Sequence, residues 1–195
     1  IDAAVKFPSR AEFDLKKIKA HQLPLPDELE AIFKACRDYF KHNKQSYGFY
    51  EKARKLIAEN KEISVLTIAD YNTRGLTGGD NDKEGDYYNF LRSTGSSAKE
   101  RSSGGSFGLG KGAYYAASPF HTIFVSSIYE KTKCLFQGKV RLVTHERGSK
   151  KYQATGSYGL TGQKPVRDCD AVPKMFRRNE RGTTVSVIGF YDDID

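Results

Sequence analysis

Three short stretches of this sequence carry side chains and backbone suited to holding a nucleotide. Asp70-Tyr71-Asn72-Thr73-Arg74-Gly75-Leu76 follows a β-branched apolar run. A carboxylate at a strand end can accept a hydrogen bond from an exocyclic amine while a glycine turn leaves room for a flat ring. Gly104-Gly105-Ser106-Phe107-Gly108-Leu109-Gly110-Lys111-Gly112-Ala113 is a glycine loop that runs into a helix-like segment. Glycines let backbone N–H groups approach an anion, and a helix start adds partial positive charge. Glu180-Arg181-Gly182-Thr183-Thr184 opens a β-branched strand, where Thr183 would lie near Asp70 if the two strands were neighbours. Singly, each has an ordinary counterpart: an Asp in a turn, a generic anion loop, a strand start.

The glycine loop nearly matches G-x-x-x-x-G-K-[ST], but Gly112 stands where a P-loop needs a hydroxyl for magnesium, and the residues before it are polar rather than a buried strand. The P-loop reading is set aside. Asp80, Asp82, Glu84 and Asp86 alternate like calcium ligands, yet Gly85 is misplaced for an EF-hand and no bidentate Glu follows, so they read as solvated acids of a mobile loop. His21, His42, His121 and His145 are far apart, and no pair has metal-ligand spacing. Cys36, Cys134 and Cys169 are odd in number and widely separated, which predicts neither a disulfide framework nor a zinc site.

These motifs need a scaffold, and the chain's periodicities suggest one. Residues 1–5 read as the end of a helix that Pro8 stops, and a polar stretch follows to Pro26. Asp27 caps an expected helix with Leu29, Ile32, Phe33, Cys36, Tyr39 and Phe40 on its apolar face, and a second helix is expected over 47–59 with Phe49, Ala53, Leu56 and Ile57 inward. Residues 63–69 read as a buried strand. The segment 77–112 is long and irregular, with a short helix at 87–91, and reads as a lid leading into the glycine loop. Strands are expected over 121–128, 133–143, 152–156 and 183–190, as an antiparallel meander. Helices, then a strand, a lid, a helix and several strands predict an α+β domain over residues 1–195.

Composition limits the function classes. With 38% hydrophobic and 29% charged residues, the 195-residue chain is globular rather than disordered, and long enough to bury a core. No apolar run approaches a membrane span and nothing at the start reads as a signal peptide, so no membrane partner and a cytoplasmic setting are expected. The net charge of +8 favours phosphorylated ligands and makes nucleic acid a weaker possibility, because the basic residues are scattered over separate segments.

Taken together and in this order, the three motifs resemble those of the GHKL ATPases, the superfamily of gyrase, heat-shock chaperones, histidine kinases and MutL. The Phe107-Gly108-Leu109-Gly110 form is most similar to the chaperone and Morc-like branch. The resemblance implies a Bergerat-type two-layer α/β sandwich, with a mixed, mostly antiparallel sheet, helices on one face and an ATP lid at about 77–112. It implies ATP and Mg²⁺ as cofactors. Asp70 would receive the adenine amine with support from Thr183, Asn72 and Gly75 would shape the adenine turn, and Gly108, Leu109, Gly110, Lys111 and Gly112 would lie along the phosphates. Asn72 replaces the family's usual first glycine, with one residue more before Gly75. Ser93, Thr94, Gly95 and Ser96 resemble the branch's polar lid segment. Ile1-Asp2-Ala3 fits the end of the family's E-x-x-x-N-[SA]-x-D-A helix, with Asp2 near the adenine side; the general-base Glu and the magnesium-holding Asn are then expected upstream of Ile1.

The function so implied is ATP binding, with Mg-dependent hydrolysis in the complete protein, as a nucleotide-gated conformational or dimerisation switch binding ATP and ADP. Two other readings remain: the catalytic domain of a histidine kinase, and a module that binds nucleotide or nucleic acid without hydrolysis.

Overall fold

The apolar run expected at 63–69 forms the inner part of a ten-residue strand, and the computed structural model builds the molecule around it. It describes residues 8–92, 111–130 and 132–192, the side chain of Lys111 excepted. In chain order the elements are β1 (Arg10–Lys19), α1 (Pro26–Tyr39), α2 (Lys44–Ala58), β2 (Glu62–Tyr71), a π-helical turn (Tyr88–Arg92), α3 (Lys111–Ala116), β3 (Thr122–Tyr129), β4 (Lys133–Arg141), β5 (His145–Arg147), β6 (Lys150–Tyr152), β7 (Thr155–Tyr158) and β8 (Gly182–Ile188). Six strands make one sheet in the order β1-β2-β8-β3-β4-β7, and every neighbouring pair is antiparallel. The α+β class therefore holds. The expected meander is interrupted, because the last strand enters the middle of the sheet between β2 and β3.

The two faces of the sheet carry different layers. On one, Phe33 and Cys36 of α1 and Tyr50, Ala53 and Ile57 of α2 pack on Ile63, Val65, Phe124, Phe136 and Ile188. Burying each such side chain stabilises by about 1.5–3 kcal/mol relative to exposing it. The opposite face, formed by Val125, Leu135, Val185 and Val187, is covered by Tyr87, Leu91 and Tyr115. Helical structure thus lies on both faces, not on one. Tyr87 and Leu91 are buried core residues, so the first part of the expected lid, up to Arg92, packs on the sheet. The rest of that lid, with Ser93, Thr94, Gly95 and Ser96, lies outside the described residues, as does the expected helix end at 1–5.

Helix starts differ in their chemistry. Leu25 adopts φ 50° and Pro26 takes the first helical position, where its missing N–H costs nothing, so α1 begins one residue ahead of the expected Asp27 cap. Asp27 and Glu28 instead sit in the first turn, where negative charge suits the helix dipole. The second helix begins at Asn43, whose side chain accepts the Ser46 N–H at 3.0 Å. Between these helices Glu51 binds Arg54 at 2.8 Å and Arg37 at 2.7 Å, and Arg54 reaches Glu30 at 3.1 Å.

Two expectations are overturned. The polar stretch before Pro26 contains β1, an edge strand paired in unbroken register from Arg10↔Tyr71 to Lys19↔Glu62. It escapes notice because its Ala11, Phe13 and Leu15 alternate with charged residues, and Phe13 stays 73% exposed. Cys134 and Cys169 form a disulfide across 35 residues, with Cα atoms 5.4 Å apart. Sequence spacing concealed this pair, because the chain returns beside β4 through a two-way backbone bridge between Phe136 and Val166. The Cys134–Cys169 bond does not favour the expected cytoplasmic setting, since disulfides persist chiefly in oxidising compartments. No helix among the described residues is long and apolar enough to cross a membrane.

Reducing Cys134–Cys169 should lower the unfolding free energy by about 3–4 kcal/mol for a loop of this length, read as the urea midpoint with and without dithiothreitol. A second outcome concerns pH. Hydrogen bonds from Arg54, then from Arg37, hold the Glu51 carboxyl at about 2 against its ordinary 4.5. A lowered pKa contributes stability above the ordinary value and loses it as pH falls through the folded one. The advantage of the native chain over Glu51→Gln in urea denaturation should therefore be full at about pH 6 and shrink steadily below about pH 4.

Candidate functional site

At the β2–β8 seam, the backbone ladder hands over to a side chain. The two strands pair through Ala69↔Thr184, and beyond that pair the Thr183 N–H donates to Asp70 Oδ1 at 2.7 Å. The Thr73 hydroxyl donates to the same oxygen at 2.6 Å. Arg178 takes the Asp70 carbonyl through Nη2 at 2.6 Å. Past the carboxylate, the Asn72 N–H donates to the Arg181 carbonyl at 3.1 Å, and the strands separate. The sequence-predicted pair Asp70 and Thr183 is thus brought together across 113 residues, through the Thr183 backbone rather than its hydroxyl.

Oδ1 is filled by two donors of the chain. Oδ2 receives none among the described residues, so half of a half-buried carboxylate is left to accept from outside. Tyr114 on α3 stands close by: burial pushes its phenol pKa up, and the Asp70 charge adds to the rise. The Phe90 ring lies 6.3 Å from that of Tyr114, centroid to centroid. An anionic acceptor beside aromatic surface can receive the amine of a flat heterocycle and give its ring something to pack on.

Turn geometry explains two neighbouring residues. Asn72 adopts φ 58° and Gly75 φ 71°, both in the left-handed region. Asn tolerates that region better than most residues with a Cβ. Gly75 cannot be replaced so easily, because a Cβ there would lie 2.5 Å from the Ile128 carbonyl oxygen. Gly112 is the second residue of α3, and a would-be Cβ there meets nothing within 4 Å among the described residues. Lys111 contributes the first residue of α3. Asp2, Gly108, Leu109 and Gly110 lie outside the described residues.

Sequence reasoning missed two members of this site. Ser127 on β3 donates to the Gly182 carbonyl at 2.9 Å, accepts the Leu76 N–H at 2.9 Å and lies 3.3 Å from the Thr183 hydroxyl. It ties the Asp70 turn to the start of β8, and no motif marks it, because a buried serine in a strand has no spacing signal. Arg178 is the other. Its guanidinium stacks on Tyr71 at 4.9 Å, with Arg10 on the same ring at 4.1 Å, and it also bonds Thr184 Oγ1 and the Glu180 carbonyl. Burial lowers the pKa of Arg178.

The acids between Asp80 and Asp86 serve as ties in the same region. Asp80 pairs with Arg167 at 2.7 Å, Asp82 accepts the Glu84 and Gly85 N–H groups, and Asp86 holds Arg74 and Thr77. The reading of these acids as solvated loop residues is therefore corrected for Asp80 and Asp86, whereas Asp82 and Glu84 are exposed. Among the described residues no group of three or more His, Cys, Asp or Glu collects as a metal site, so they offer no cradle for magnesium. A scan against known protein families matched no family model, and a search of curated proteins returned no match.

Gly182 is where this seam is most sensitive. It adopts φ 137°, and a Cβ would collide with the Asp70 carbonyl oxygen and approach Oδ1 to 2.7 Å and Arg178 Nη2 to 2.8 Å. Gly182→Ala should cost about 2–3 kcal/mol in urea unfolding, since it strains the backbone and breaks the seam's buried bonds together.

Proposed function

We propose that this chain is an adenine-nucleotide-binding domain of GHKL type, with a Bergerat-type fold, in which Asp70 accepts the adenine amine. The observation that carries the reading is the division of the Asp70 carboxylate, one oxygen fixed by Thr73 and Thr183 and the other without a donor among the described residues. A carboxylate held this way is preorganised: its orientation is set before a ligand arrives, so less ordering cost falls on binding. The antiparallel six-stranded sheet and the order of the three motifs along the chain support the same reading.

The phosphate half of the proposal rests on the sequence of the glycine loop. Magnesium and hydrolysis are assigned to no described residue. Closure over ATP would drive a conformational or dimerisation switch. ATP rather than a nucleic acid is the ligand proposed, because the site recognises one amine and one ring.

Asp70→Asn separates the structural from the binding role of this residue. Thr73 and Thr183 are both donors and keep the amide oxygen in the Oδ1 position, which turns the NH₂ toward the ligand. Donor then meets donor. Calorimetry with ATP and Mg²⁺ should show affinity down by at least about tenfold, equivalent to about 1.4 kcal/mol, with an unchanged thermal melt. Equal affinity in the two proteins would remove Asp70 from the site.

A further inference from the structure

Three cations gather on the α3 side of the sheet with no acid to neutralise them among the described residues. Thr183, Ser127 and Leu135 lie in one cross-strand row beside Asp70, so Gln137, Lys139 and Arg141, at successive alternate positions of β4, share Asp70's face. Among the described residues Lys139 Nζ has only the Ser157 hydroxyl, at 3.4 Å. The Arg141 guanidinium lies 4.3 Å above the Tyr115 ring. Arg92 reaches the same strip from the π-helical turn: it donates to the Tyr87 hydroxyl at 3.3 Å and to the Gln163 carbonyl at 2.5 Å, and Gln137 binds both of those partners.

All of these partners are neutral. Arg37, Arg54, Arg147 and Arg167, by contrast, each pair with a carboxylate, while Arg178 at the seam shares the neutral pattern. Contacts to a hydroxyl, a carbonyl or a ring fix a cation in place without cancelling its charge, so mutual repulsion in the strip stays uncompensated. Burial lowers the pKa of Lys139, and the charges of Arg92 and Arg141 lower it further. An oxyanion in the middle would relieve that repulsion and satisfy the free donors, with arginine forks and a lysine point charge as a mixed set.

We propose that Arg92, Lys139 and Arg141 form a binding site for a phosphoryl group. The cross-strand row of Val125 and Gln137 lies between Lys139 and the row beside Asp70, so the site is separate from the adenine contact and does not depend on it. The phosphoryl group can belong to a nucleotide's polyphosphate or to another small phosphorylated molecule; the recognising chemistry is the same.

Pyrophosphate is the probe. Titrated into the full chain by calorimetry at low salt, it should bind, and Lys139→Gln should weaken it at least fivefold while the melt by circular dichroism stays cooperative. Arg92→Gln gives the same comparison if Lys139→Gln melts without cooperativity. Pyrophosphate binding should survive Asp70→Asn, which keeps failure here distinct from failure of the adenine reading. If Lys139→Gln weakens ATP as much as pyrophosphate, the site takes the nucleotide's own phosphates; if it weakens pyrophosphate alone, it takes a separate phosphorylated ligand. No pyrophosphate binding by the native chain, or equal binding by both variants, overturns the proposal.

Discussion

The insertion of β8 between β2 and β3 is the constraint on which the rest of the molecule depends. A strand so late in the chain can enter the centre of a sheet only if both neighbours leave it a full ladder, and β8 is paired on both sides. It must also be apolar on both faces, and Val185, Val187 and Ile188 meet that requirement. The same insertion sets the start of β8 against the end of β2, where Asp70 replaces a backbone acceptor. The candidate site is therefore a consequence of topology: it exists where the last strand is sealed into the sheet.

Sealing and the proposed binding use different atoms of one side chain. A carboxylate with both oxygens filled by the chain would be purely structural, and one with neither filled would be free to rotate. Asp70 is intermediate, with Oδ1 committed and Oδ2 open among the described residues. The cost of ordering its side chain is already met by Thr73 and Thr183, so a ligand amine gains the hydrogen bond with little further loss. Ser127 and Arg178 extend the arrangement by holding the two backbones that flank the carboxylate.

What the sequence disclosed follows the strength of each periodic signal. Helices α1 and α2 carry apolar residues at helical spacing, and β2 and β8 are β-branched runs bounded by turns, so all four were legible with only their ends shifted. The edge strand β1 was not, because nearly every residue is exposed and its alternation is masked by charge. Non-local pairings left no trace either: Cys134 with Cys169, Ser127 with Gly182 and Arg178 with the Asp70 carbonyl depend on which strands become neighbours. Asp70 and Thr183 were an exception. Their pairing was anticipated from motif order, although the atom that Thr183 uses was not.

The face that carries Asp70 shows how one sheet can serve two chemistries. Toward β2 it presents an acceptor beside aromatic surface, and toward β4 a row of cations, with the buried cross-strand row of Val125 and Gln137 between them. That spacer matters physically. Were the carboxylate within a few ångströms of Lys139 or Arg141, it would form an ion pair with them, and both the amine acceptor and the anion site would be lost to an internal bridge. Distance across the sheet and a dry interior between keep the opposite charges from satisfying one another. A core of this kind is more than filler: it preserves unspent polarity at either end of the same face.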